Sequence, residues 1–523
     1  MGDRYPRPLP PVCPGVSLPP SIGLLVAACA LALYAWTAAP TITWGGGDSA
    51  KLAVWVHGVQ MGHSSESHPL YVALGWIFAS LPLGGDLPYR LNLFSGFCGA
   101  LAVYAMFVLC RHLTGSSFAA ACASSALALS HTFWLHSVIT EVYALHLLLL
   151  LSSLASAIRW SLGGADRHLR LGALFFGAGV ANHLLTVWAL PGLACLVLSQ
   201  RGRIRPRLLL GAAIAAGLGA GPLFYALVKA ASQHGLMTSL RDAAGLGSSA
   251  YLVFHPQRLP QYLAYLFYQF PLVGFLLGWV GYGRLFTQDR RTGLALALVS
   301  VPYLLFPLIW DFRDHYQFAL SFYACFAIAI APGVMAMRRR LSARWFEILT
   351  ACLLLALPPC LYAAAPGLSW LLGVDVVRAR TLPHRDNARY FLWPPKRGDD
   401  GASRYGAEAL SALSPNAVIV GDYTPAMVLI YLQKVEGLRP DVDIRDPATV
   451  DEQLRIIQDR IDHQAVYVAA LEDRTDLPPH LYLTRNALPP GLLAVPAPPV
   501  YRIVRSSPRG PGAGPPPSAP PGG

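Results

Sequence analysis

The chain has 523 residues, of which 54% are hydrophobic and only 13% charged. A soluble domain carries about 25% charged residues, so a fully soluble protein is excluded. The net charge of +12 would suit nucleic acid, but Arg201, Arg203, Arg205, Arg207 and Arg338, Arg339, Arg340, Arg344 lie between apolar runs. Basic residues there orient membrane helices, and nucleic acid is not an expected partner.

Residues 1–20 form a short basic, Pro-rich tail predicted to be disordered in the cytoplasm. The run 21–39 is longer than a signal-peptide core and is read as a retained first membrane helix. Further spans are predicted at 90–110, 116–135, 139–158, 171–183, 184–199, 208–230, 261–283, 292–310, 316–337 and 345–365. Together these make about 11 transmembrane helices. The stretch 171–199 is read as two short segments meeting at Asn182 and His183, because one helix would put the Arg201–Arg207 cluster on the wrong side. The apolar stretch 68–82 is too short to span with ease, and counting it would invert every later loop. It is read as a helix along the membrane surface.

With the N-terminus inside, the basic clusters fall in the cytoplasm. Residues 40–89, 132–140, 231–260, 311–315 and everything after 366 then fall outside. The compositional shift after about 400 marks a small C-terminal α/β domain within 366–506. The run at 416–434 reads as strand, turn and helix. Residues 451–462 read as a charged amphipathic helix, and QAVYVAAL and VYRIV as strands. The Pro/Gly-rich tail 507–523 is expected to be disordered. Nine cysteines without a CxxC spacing give no metal or disulfide framework.

The loop after the first span crowds Asp48, Lys51, His57, His63, Glu66 and His68 behind Gly45–Gly47. An acid at the end of a membrane helix is a functional candidate; the plain alternative is a helix cap. His63, Glu66 and His68 do not have the spacing of a zinc-protease helix, and a solvated polar patch is the expected reading, with no metal. Glu141, with His131 and His136 before it, either balances a helix start or faces a cavity. Asn182 and His183 interrupt an apolar stretch, and irregular backbone at membrane depth lines a cavity or is buried. Asp311, Arg313, Asp314 and His315 form a charged loop between two spans. It is either solvated or, through Arg313, suited to phosphate.

Several stretches in one order, ITWGGGDSAKLAVW…SHPLYVALGW, PYRLNLFSGFCGA, FWLHSVITEVYAL, GVANHLL, DFRDHYQFAL and NAVIVGDYTPAMVLIYLQ, resemble one family. It is the protein O-mannosyltransferase-like membrane family of the GT-C glycosyltransferase superfamily, formerly of unknown function, with eukaryotic relatives that mannosylate IPT domains. The resemblance implies a polytopic helical GT-C-like domain over 21–365 and a glycosyltransferase reaction. The donor would be a polyprenyl-phosphate sugar and the acceptor a hydroxyl on protein or glycan outside the cytoplasm. No cofactor or metal is implied. By motif match Asp48 is the catalytic base and Glu141 the second-loop acid. Substrate would be bound by Lys51, His63, Glu66, His68, Tyr71, His136, Asn182, His183, Arg313, Asp314 and His315. The family usually reads D-S-G-E where this chain has Asp48-Ser49-Ala50-Lys51. The alternatives are a transporter or flippase, and a GT-C-like scaffold without activity. A bacterial inner-membrane protein is the expected setting.

Overall fold

The structure, a computed structural model, describes residues 20–45, 48–246, 252–310, 315–338, 343–373, 379–472 and 482–506. The predicted tails lie outside these residues, apart from Pro20. The chain divides into two compact units. A helical unit holds residues up to 43, 51–378 and 386–400, and a second unit holds 44–50, 379–385 and 401 onward. The single boundary expected near 366 is therefore replaced by a discontinuous one.

In the helical unit, five helices among the described residues are long and apolar enough to cross a membrane: Leu87–Thr114, Tyr143–Ser161, Arg290–Ile309, Tyr316–Arg338 and Arg344–Leu371. Two bent pairs raise the number to seven. Four shorter apolar helices, Ser21–Thr37, Pro69–Ala79, Ser117–Ala128 and Leu184–Leu198, accompany them. Sequence periodicity overstated the continuity of three spans. The predicted 116–135 helix stops at Ala128, and a separate short helix covers His131–His136. The predicted 261–283 helix bends by 110° between Gln269 and Val273. Pro271 explains this, because the residue before a proline is driven out of the helical region; Phe270 has φ −132° and ψ 69°. The predicted 208–230 helix bends by 65° at Ala220, just before Gly221 and Pro222. The break expected at Asn182–His183 is present: the helix Arg167–Asn182 ends there, and His183 is extended. The apolar stretch 68–82 contains the helix Pro69–Ala79.

An apolar helix surface must face either protein or lipid, and two helices take opposite solutions. Every residue from Leu320 to Val334 is buried, so that helix is enclosed by its neighbours. In Ala343–Leu371, by contrast, Trp345, Leu349, Leu355 and Trp370 are exposed, as a lipid-facing helix requires.

The segment 386–400 packs within the helical unit and buries Lys396. The backbone N–H of Lys396 donates to Thr37 O at 2.8 Å. Its ammonium donates to Trp393 O at 2.6 Å and lies 5.0 Å from the centre of the Tyr390 ring. Burial disfavours the charged form and lowers the Lys396 amine to about 8. The unfolded chain holds this proton up to about 10.5, so between those pH values the unfolded state binds more protons and stability rises with pH. The span is worth on the order of 3 kcal/mol. Lys396→Met is expected to be more stable than the wild type at pH 7, with the advantage shrinking as the pH is raised from 8 to 10. Thermal unfolding of the purified proteins across that range checks this. An advantage that does not change with pH would refute it.

The second unit contains a five-stranded mixed sheet of order β2-β1-β3-β5-β4, with β1 Val418–Val420, β2 Asp443–Arg445, β3 Val466–Val468, β4 Leu492–Ala497 and β5 Val500–Arg505. β1 pairs in parallel with β2 and β3, and β5 runs antiparallel to β3 and β4. The uninterrupted apolar runs VIV and VYV suit strands covered on both faces, and all six residues are buried. Val418, Val420, Val466, Val468, Ile457 and Ile503 form one core. Strands β1, β3 and β5 and the helices Tyr423–Lys434 and Val450–Arg460 fall where the sequence predicted them. Strands β2 and β4 are additions.

Candidate functional site

Each unit places one of the two predicted acids among polar groups. In the helical unit, Glu141 precedes the helix Tyr143–Ser161 and is buried. Its carboxylate accepts from Val142 N–H at 3.3 Å, a helix-start contact that favours negative charge. Ser95 Oγ contacts both backbone groups of Glu141: it accepts from Glu141 N–H at 3.4 Å and stands 3.3 Å from its carbonyl oxygen. Burial, with the nearby Glu141 charge adding to it, holds the Tyr71 phenol well above its usual range. Asn92 and Thr140 join the same polar layer. Thr140 donates to Asn92 Oδ1 at 2.7 Å, and the Asn92 amide donates to Ala39 O at 2.8 Å.

The helix break gathers several of the predicted residues. His68 meets Asn182 O at 2.7 Å, and its ring stands 5.1 Å from that of His183. The Asn182 amide donates to Val142 O at 3.2 Å. His183 Nδ1 accepts from Leu185 N–H at 3.2 Å, which caps the short helix that follows. Tyr143 and His146 approach the His183 ring at 5.5 and 5.8 Å. His146 was missed in the sequence because it sits inside an apolar span; it hydrogen-bonds Ser321 at 2.9 Å and Thr186 at 3.2 Å. His136 is buried, stands 4.9 Å from the Tyr143 ring, and neither ring nitrogen has a hydrogen-bond partner among the described residues. Burial lowers its imidazole to about 3, so His136 is neutral at physiological pH and able to donate one hydrogen bond and accept another.

Other predicted residues fall elsewhere. His63 pairs with Asp242 at 3.5 Å and stacks on His234, while Glu66 is exposed. No group of three His, Cys, Asp or Glu that could hold a metal ion occurs among the described residues. Lys51 lays its ammonium 4.6 Å from the centre of the Trp55 ring, one helical turn away. Arg313 and Asp314 lie outside the described residues, as does the side chain of His315.

In the second unit, Asp48 opens the helix Asp48–His57, so the capping alternative has a physical basis in the helix start. Its side chain has a long-range partner as well: the Tyr423 hydroxyl donates to Asp48 Oδ1 at 2.7 Å. Trp44, fully buried, donates from its indole to Pro383 O at 3.2 Å and packs on Tyr405 at 5.1 Å. Tyr423 follows Asp422 at the carboxyl end of β1, the edge of an open α/β sheet at which ligand sites form. Asp422 caps the helix Tyr423–Lys434 and receives Arg380 in a two-pronged pair at 2.7 and 2.8 Å. Nothing in the sequence near Asp48 announced these partners.

Comparison with known proteins bears on the stretch from Asp48 onward. Residues 48–205 match the family described as Protein O-mannosyl-transferase TMEM260 N-terminal domain. The Protein O-mannosyl-transferase TMEM260 of Mus musculus is 27% identical over 150 residues, covering 28% of this chain and 21% of the mouse protein. The matched stretch thus spans about a fifth of that relative. Two crystal structures of ArnT from Cupriavidus metallidurans share the fold. The form bound to undecaprenyl phosphate has a TM-score of 0.54 at 13% identity, covering 93% of this chain and 98% of that one. The apo form has a TM-score of 0.56 at 14% identity, covering 85% and 92%. Residues 48–205 thus resemble the N-terminal domain of the TMEM260 protein O-mannosyl-transferase family, and the chain shares the fold of ArnT.

Proposed function

We propose that the protein is a membrane glycosyltransferase that moves a hexose, with mannose the first candidate, from a polyprenyl-phosphate sugar to a hydroxyl of a protein or glycan acceptor. The observation that carries this is Asp48. The family match begins at this residue, and its carboxylate is held at a helix start by Tyr423. Among the described residues its second oxygen, Oδ2, accepts no hydrogen bond. In the reaction, the acceptor oxygen forms a bond to the anomeric carbon as the bond from that carbon to the phosphate oxygen breaks. The electron pair leaves with the polyprenyl phosphate, and the acceptor's proton passes to Asp48 Oδ2 acting as general base. Direct displacement inverts the anomeric centre. Glu141, His136 and His183 shape the polar interior of the helical unit, and Arg313 and Lys51 are the cations assigned to the leaving phosphate. An eleven-span arrangement, with the N-terminus in the cytoplasm and the acids on the outer face, follows from the arginine distribution. A bacterial inner membrane is the setting.

The test uses the full chain in lipid vesicles with a labelled polyprenyl-phosphate mannose and membrane acceptors. Chain-dependent entry of label into a protein or glycan fraction is expected. If mannose, glucose and galactose donors all fail while the vesicles show counterflow of the lipid-linked sugar, the protein is a transporter and the proposal falls.

A further inference from the structure

We propose that Tyr423 of the α/β unit is a positioning residue for Asp48: its hydroxyl fixes one carboxylate oxygen and turns the other toward the acceptor. This rests on the reading of Asp48 as the base. Asp48 opens the helix Asp48–His57, which sets its backbone but leaves the direction of the carboxylate to its hydrogen-bond partner. The hydrogen bond from Tyr423 at 2.7 Å supplies that constraint from 375 residues away. A base whose two oxygens exchange freely is ready for the acceptor only part of the time, and a misplacement of about 1 Å can cost a factor of about 100 in rate.

Tyr423 is itself held by rigid groups. β1 is fully buried between two parallel neighbours. It delivers Asp422, whose Oδ1 accepts from Thr424 N–H at 3.3 Å and fixes the start of the helix that carries Tyr423. The Asp422 carboxylate is clamped by Arg380, which is 6% exposed and lies 4.7 Å from the centre of the Tyr482 ring. A planar guanidinium matched to both carboxylate oxygens sets direction as well as distance. On the other side, Trp44 anchors the approach to Asp48 through Pro383 and Tyr405. These residues all belong to the α/β unit, and apart from Asp48 they lie outside the segment that matches the family. The α/β unit thus takes part in the chemistry by holding the base.

The experiment compares wild type, Tyr423→Phe and Asp48→Asn as full chains in vesicles with labelled polyprenyl-phosphate mannose. Tyr423→Phe keeps the ring and removes only the hydroxyl. Its kcat is expected to fall about tenfold with the donor KM unchanged and the thermal unfolding temperature retained. Wild-type kcat in Tyr423→Phe would overturn the proposal, and so would a fall in kcat that tracks a loss of thermal stability. Full activity of Asp48→Asn would instead remove the base itself. An inactive Asp48→Asn beside a fully active Tyr423→Phe would remove only the positioning role.

Discussion

Asp48→Asn is expected to lower turnover at least about a hundredfold while leaving expression, membrane insertion and thermal stability close to wild type. The substitution separates the two readings of this acid. Asparagine has the shape of aspartate, can accept the Tyr423 hydroxyl through its amide oxygen, and is as good a residue as aspartate at a helix start. If Asp48 only begins the helix Asp48–His57, the variant works normally. If Asp48 takes the acceptor's proton, the amide cannot replace it, because an amide oxygen is far too weak a base. Transfer of labelled hexose in vesicles is the measurement. Turnover within threefold of wild type would sink the general-base assignment.

The second large effect is structural. Gly281→Val and Gly333→Val should each prevent the correct packing of Val273–Gln288 against Leu320–Arg338. A Cβ on Gly281 would overlap the carbonyl oxygen of Ala329, and one on Gly333 would overlap that of Leu277. The two helices therefore meet backbone to backbone, each with a glycine at the contact, as small residues permit within membranes. Overpacking into side chains costs about 1–3 kcal/mol. Here the obstructing atoms are main-chain carbonyls that cannot rotate away, so the cost should exceed that range. The enclosed helix 320–334 would lose its fit, and the yield of monodisperse protein in detergent should collapse. Gly283→Val is the control, since a Cβ there meets nothing. Equal yields from all three variants would show that the close approach is not needed for folding.

Several features were legible in the chain because their physics is local. Apolar runs, prolines and arginine clusters mark helices whatever surrounds them, and the break at Asn182–His183 was readable as a polar interruption of an apolar stretch. The strand-turn-helix at 416–434 was readable from the switch between a short apolar run and a longer periodic one. The family match beginning at Asp48 agrees with the order of motifs read from residues 40 to 185. Where the reading went wrong, the cause was non-local or a punctuation given too little weight. Pro271 turned one expected span into two helices at 110°. Ser130 separates what looked like one helix over 116–135. β2 and β4 escaped notice because DIR is mostly polar and LLAVPA contains a proline, and both lie at the sheet edges, where pairing on one side suffices.

Composition determined that this is an apolar, helix-rich chain, because low charge and long apolar runs leave few other solutions in water or lipid, and periodicity after residue 400 added a separate α/β region. Motif order pointed to the family and to Asp48. Only the tertiary structure decided that His68, Asn182, His183 and His146 share one polar interior, and that His63 and Glu66 do not join them. It also assigned Asp48 to the α/β unit, with Tyr423 as its hydrogen-bond partner. The physical reason is range: periodicity and spacing record what neighbours in sequence do, whereas a carboxylate's partner is whatever donor the fold brings within about 3 Å.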